Sequence, residues 1–166
     1  MQQQFLDTGK PKKTDLDLVI AYVILSVVLF ALTVFNPTYQ FNRNIVAGYS
    51  IVTDLSIYSI FYRGLRNRSL FLIWTVIGIS HLIYFFVMRY EYSLHYTRGF
   101  AGSPLLFSLL LIYLFEILRF LSRRIVKLEL ETIFFGGVSL FKERKLMWFD
   151  WVSCIIYSAV MIFAWS

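Results

Sequence analysis

Five apolar stretches, at residues 18–35, 45–62, 69–88, 103–121 and 151–165, each approach the ~20 residues that cross a ~30 Å hydrocarbon layer as a helix. They limit this chain to a small set of folds. The expected fold class is an all-α membrane protein: one polytopic domain over residues 1–166, built as a bundle of about five transmembrane helices, four of ordinary length and a short C-terminal one. Composition agrees. The chain is 58% hydrophobic and 16% charged, against about 25% charged in ordinary soluble domains, and 166 residues cannot bury that much apolar surface in a core of their own. The lipid bilayer is therefore the first partner. The spans leave room for one excursion of about 25 residues, at 122–148, and for no separate soluble domain.

The basic residues fall very unevenly between these stretches. Lys10, Lys12 and Lys13 precede the first, Arg63, Arg66 and Arg68 join the second and third, and Arg119, Arg123, Arg124, Lys127, Lys142, Arg144 and Lys145 lie between the fourth and fifth. The alternate places hold only Arg43, Arg89 and Arg98. By the positive-inside rule the N terminus, residues 63–68 and residues 122–148 are expected in the cytosol and the C terminus outside, in a cytoplasmic (inner) membrane. Trp148 and Trp151 fit one interface of the last span and Trp165 the other. That span has about 15 strongly apolar residues, roughly 22 Å of helix. If it lay along the surface instead, both termini would be cytosolic.

The net charge of +6 follows from the same asymmetry. Basic residues beside spans face anionic headgroups, so no nucleic-acid partner is expected. The lysines before the first span resemble the start of a secretory signal, but Phe35-Asn36-Pro37-Thr38-Tyr39 follows where a small-residue cleavage site would be needed, which reads as a retained anchor. The single cysteine, Cys154, forms no intrachain disulfide. Asn67-Arg68-Ser69 fits a glycosylation pattern on what the charges make the cytosolic side, where it would not be used.

Polar residues inside the spans are the candidates for chemistry. The second span is the richest, with Tyr49, Ser50, Thr53, Asp54, Ser56, Tyr58 and Ser59 spread around the helix, so it is expected at the centre of the bundle. A bare charge at the depth of Asp54 costs about 2.5 to 3.5 kcal/mol, so Asp54 must be protonated, paired or hydrated. Counted from the expected cytosolic ends, Asp54 lies about 12 Å deep and His81 about 18 Å, which allows a direct or water-bridged pair. Such a pair serves either as a proton or cation site or as a packing bond between the second and third spans. Glu116 and Arg119, three residues apart on one helix face, either neutralise each other or line a charged gate. His95, with Tyr90, Tyr92 and Tyr96, reads as an external aromatic belt, and Ser103-Pro104 as the cap and first turn of the fourth span.

Between the fourth and fifth spans, Lys127-Leu128-Glu129-Leu130-Glu131-Thr132 alternates as a strand does, and Gly136-Gly137 supplies a two-residue turn. Folded there, Glu131 opposes Lys142 and Glu129 opposes Arg144 in a small cytosolic hairpin. A basic amphipathic helix in the headgroups is the alternative. Under either reading Glu129, Glu131, Lys142 and Arg144 are the candidate docking residues for a cytosolic protein partner.

No catalytic residues are expected. The spans hold no HExxH, no GxSxG, no cysteine pair and no second carboxylate level with Asp54, while Ser80 and His81, as sequence neighbours, point to different sides of their helix. With one histidine in the spans there is no bis-histidine haem, and neither metal nor other cofactor is expected. No repeat pattern suggests an inverted-repeat carrier. The expected function is that of a non-enzymatic subunit or interaction protein, a homo-oligomer or a component beside other membrane subunits. Immunity, exclusion, defence and assembly proteins share that general form. The alternative is an oligomeric ion channel or a proton- or cation-coupled component using Asp54, His81, Glu116 and Arg119.

Overall fold

The computed structural model of the protein describes residues 10–35, 39–96, 99–133 and 145–165. Among them the chain forms six helices: α1 (Lys13–Phe35), α2 (Tyr39–Ser59), α3 (Tyr62–Leu65), α4 (Arg68–Met88), α5 (Leu105–Ile125) and α6 (Trp148–Trp165). Four of these, α1, α4, α5 and α6, are long and apolar enough to cross a membrane. α2 has the length, at 21 residues, but its polar side chains keep it out of that set.

Each apolar helix buries one stripe and leaves the rest of its surface apolar and outward. On α1 the stripe is Val19, Tyr22, Ser26, Leu29 and Thr33, at three- and four-residue spacing, while Ile20, Ile24, Val27, Val28 and Val34 are exposed. Apolar outer faces of this kind suit lipid, and the polar members of the stripe turn inward. α2 differs in what its buried stripe carries: Val46, Ser50, Thr53, Asp54 and Ile57 are buried, while Asn44, Gly48, Ile51 and Val52 are exposed.

The expected span at 45–62 is shifted in the structure. Its helix starts at Tyr39 and ends at Ser59, because the Ser56 carbonyl takes the N–H groups of both Ile60 and Phe61 at 2.9 Å and breaks the regular ladder. The single turn α3 follows. Asn67 then caps α4, its side-chain oxygen accepting from Ser69 N at 3.0 Å and Leu70 N at 3.4 Å. The asparagine of the glycosylation pattern is thus a buried cap.

α4 and α5 pack closely at Gly78. A Cβ there would come within 2.8 Å of Leu109 Cδ1 and 3.1 Å of Leu109 Cα, so only glycine allows this approach. The helix α5 starts later than expected. Ser103 bonds the Phe100 carbonyl at 2.8 Å and caps nothing, and Pro104 takes the cap position. At the other end α5 runs on to Ile125, where Lys127 adopts a left-handed φ of 59°.

The strands among the described residues are not where the alternating pattern pointed. β1 (His95–Tyr96) pairs antiparallel with β2 (Gly99–Phe100) in the connection between α4 and α5. His95 Nε2 bonds the Arg89 carbonyl at 2.7 Å, and Arg43 on α2 both donates to the His95 carbonyl at 3.2 Å and stacks over Tyr96. These aromatic residues lock the connection onto α2. Residues 128–133 pair with no strand among the described residues, and the turn and second arm of the expected cytosolic hairpin, with Lys142 and Arg144, lie outside them.

Candidate functional site

Three polar constellations occupy the bundle interior. The first centres on His81 of α4, which is 1% exposed. Its Nε2 hydrogen-bonds Tyr49 OH at 2.8 Å and Tyr22 OH at 3.3 Å, and its Nδ1 bonds Ser108 Oγ at 2.9 Å. Tyr22 OH continues to Tyr49 OH and to Thr53 Oγ1, each at 2.8 Å, and Ser26 Oγ joins Tyr49 OH at 2.7 Å. A neutral imidazole donates from one nitrogen and accepts at the other, and hydroxyls on both sides can take either role. One histidine therefore ties α1, α2, α4 and α5 together.

The second constellation lies between α2 and α6. Trp165 Nε1 donates to Asp54 Oδ2 at 3.2 Å, and Asp54 Oδ1 has no hydrogen-bond partner among the described residues although the side chain is 0% exposed. Ser153 Oγ and Tyr157 OH, on the buried face of α6, are likewise without partners there. Tyr157 stacks on Tyr58, one turn along α2 from Asp54, with ring centroids 4.5 Å apart.

Asp54 and His81 therefore do not form the hydrogen-bonded pair that their depths allowed. His81 meets Tyr49 directly and Thr53 through Tyr22 OH, and Tyr49 and Thr53 lie four residues apart on one face of α2. Asp54 is the next residue after Thr53 and so is turned about 100° away, towards α6. Direction around the helix was not readable from the sequence.

The third constellation closes the end of the bundle that holds α3. Arg119 Nη1 lies 3.2 Å from Glu116 Oε2, the intrahelical pair expected, and Arg119 Nε also bonds Glu129. Glu129 further lies 3.7 Å from Arg66 Nε and 3.5 Å from Arg123 Nε. Glu131 accepts from Tyr62 OH at 3.0 Å and lies 3.9 Å from Arg66 Nη2, which donates to the Leu130 carbonyl at 2.6 Å. The two glutamates thus anchor the segment after α5 to α3 and α5. Buried charges require such mutual compensation, because desolvation costs several kcal/mol per unpaired ion.

Asp150 belongs to the same closure and was missed in the sequence. Wholly buried, it accepts from Met147 N at 2.7 Å and from Glu131 N at 3.0 Å, fastening the start of α6 to the returning segment. An acidic residue in the first turn of a helix was the available signal. Tyr22 carried no such signal beyond helical spacing from other inward positions. Among the described residues no three His, Cys, Asp or Glu side chains converge as metal ligands.

Neither a protein-family model, a curated protein nor a solved structure matches the chain.

Proposed function

We propose that the protein is a non-enzymatic subunit or interaction protein of a cytoplasmic membrane, acting through its apolar helix faces and the cytosolic segment 122–148. In this reading α2 is the fifth crossing, the α3 end is cytosolic, and copies of the chain or other membrane subunits cover part of the outer surface. The observation that carries it is the engagement of both ring nitrogens of His81 by hydroxyls of neighbouring helices. With Glu116 and Arg119 also satisfied by each other and by Glu129, the polar residues of two constellations are used to hold helices together. The side chains of Glu129 and Glu131 serve as anchors, so a soluble partner would meet the outer residues of the segment, such as Arg124, Lys127 and Leu128.

The test is ion and proton flux through proteoliposomes of the purified chain, together with capture of membrane partners from mildly solubilised native membranes. The reading expects no flux above empty vesicles and a stoichiometric partner or homo-oligomer. Robust flux that Asp54→Asn abolishes would sink it.

A second reading, an ion- or proton-coupled component, is favoured by one observation. Asp54 Oδ1 on α2 and Tyr157 OH on α6 are buried without partners among the described residues, as is Ser153 Oγ one turn before Tyr157 on the same buried face of α6. Oxygens in that state suit a proton, a water or a small cation. Flux sensitive to both Asp54→Asn and Tyr157→Phe would establish this second reading.

A further inference from the structure

Asp54 of α2 is wholly buried, yet only half of its carboxyl group is used. Oδ2 accepts the Trp165 indole N–H at 3.2 Å, while Oδ1 meets no donor among the described residues. No lysine, arginine or histidine among them pairs with it. A carboxylate in this position keeps a full negative charge away from water with one neutral N–H to offset it.

The titratable groups of the surrounding helices are engaged elsewhere. Tyr22 of α1 and His81 of α4 bond each other, Glu116 and Arg119 of α5 pair with each other, and Asp150 at the start of α6 accepts two backbone N–H groups. Tyr157 of α6 differs from these. It lies within electrostatic reach of Asp54, its ring stacks on Tyr58 one turn along α2, and its hydroxyl has no partner among the described residues.

Three ligands could complete Oδ1, and their chemistry separates them. A water would donate to the oxygen but leave the charge in place. A metal cation needs about six oxygens around it, whereas here an N–H donor already points its positive end at the carboxyl, and no three His, Cys, Asp or Glu side chains converge among the described residues. A proton removes the charge without further ligands. It also turns Oδ1 into an O–H donor, for which the Tyr157 hydroxyl is an acceptor in reach.

We propose that Asp54 is a proton-binding site, holding H⁺ on Oδ1 as the un-ionised acid, with Oδ2 the carbonyl oxygen that accepts from Trp165. The proposal deepens the second reading above and rests on its choice of Asp54, but it concerns occupancy of the site and requires no transport.

The test is infrared spectroscopy of the full chain in phosphatidylcholine vesicles at about pH 6, where an ordinary aspartate is about 99% ionised. The expected result is a protonated-carboxyl C=O band that shifts in deuterium oxide, disappears in Asp54→Asn and is unchanged when choline replaces sodium. Feeding aspartate isotopically labelled in its carboxyl carbon should move the same band in the unmutated chain, which keeps the test valid if the variant does not fold. Trp165→Phe removes the donor to the carbonyl oxygen and should raise the frequency of the band. A chain without a label-sensitive acid band, or with an Asp54 carboxylate signal that responds to sodium, would overturn the proposal, and a band indifferent to Trp165→Phe would overturn the placement on Oδ1. Flux and protonation separate the two claims: the band without flux sinks the transport reading alone, and flux with an ionised Asp54 sinks the proton site alone.

Discussion

Trp165, the last described residue of α6, donates its indole N–H to the buried Asp54 carboxylate of α2 across 3.2 Å. This bond joins α6 to the most polar helix of the bundle, and it is the one side-chain hydrogen bond of Asp54 among the described residues. Trp165→Phe should therefore destabilise the protein by about 1–3 kcal/mol, the cost of leaving a buried acceptor unmade. In an Asp54→Asn background the same substitution should cost measurably less, and thermal unfolding of the four proteins in detergent gives the coupling directly.

The histidine clamp makes a contrasting prediction for two adjacent residues. His81→Leu removes bonds to Tyr49, Tyr22 and Ser108 and should cost about 1–2 kcal/mol, given average interhelical bonds of about 0.6 kcal/mol in membranes. Ser80 is exposed and bonds only its own helix, at Val76 O, so Ser80→Ala should change stability by less than about 0.5 kcal/mol. Equal effects would remove the interhelical role assigned to His81.

Two glycines test the packing of α4 on α5. Gly78→Ala should destabilise by about 1–3 kcal/mol, because the added methyl meets the Leu109 backbone as well as its side chain. Gly48→Ala on α2 meets nothing within 4 Å and should be neutral or stabilising by up to about 1 kcal/mol through helix propensity. Chemical denaturation in mixed micelles would rank the two.

Arg119 holds two carboxylates, Glu116 and Glu129, at the α3 end. Arg119→Ala should cost about 3–5 kcal/mol by stranding buried charge, and Glu116→Leu/Arg119→Met should recover a large part of that loss. Protease susceptibility of residues 126–133 offers a local readout, since Glu129 would lose one of its anchors.

Lys127 sits at φ 59°, a left-handed conformation that costs a residue with a side chain roughly 1–2 kcal/mol. Lys127→Gly should raise stability by about 0.5–1 kcal/mol after glycine's own entropy cost is set against that gain. A fall in melting temperature would mean that the lysine side chain contributes more than its backbone geometry costs.

Helix positions were legible in this chain because hydrocarbon imposes a length and a polarity that any reader of the sequence can count. The apolar runs that became α1, α4, α5 and α6 were found to within a few residues at their ends, apart from a five-residue earlier start for α1. The polar residues Ser50, Thr53 and Asp54 of α2 were likewise legible as an inward face. The Glu116–Arg119 pair followed from spacing alone. Alternation at 127–132 misled in part, since residues 126 and 127 end α5 and 128–133 pair with no strand among the described residues. The short ladder of His95 and Tyr96 with Gly99 and Phe100 is made by two residues on each side, too few for any periodicity to show.

By itself, then, the sequence determined that this protein is built of helices, that four of them are long and apolar enough to cross a membrane, and which segments those four are. Tertiary structure alone decided which way those residues face and whom they meet: Thr53 towards the His81 clamp, Asp54 towards Trp165, Glu129 and Glu131 towards Arg66. The reason is geometric. Depth accumulates along one chain at 1.5 Å per residue, whereas azimuth acquires meaning only when other helices, distant in sequence, pack alongside and supply the partner.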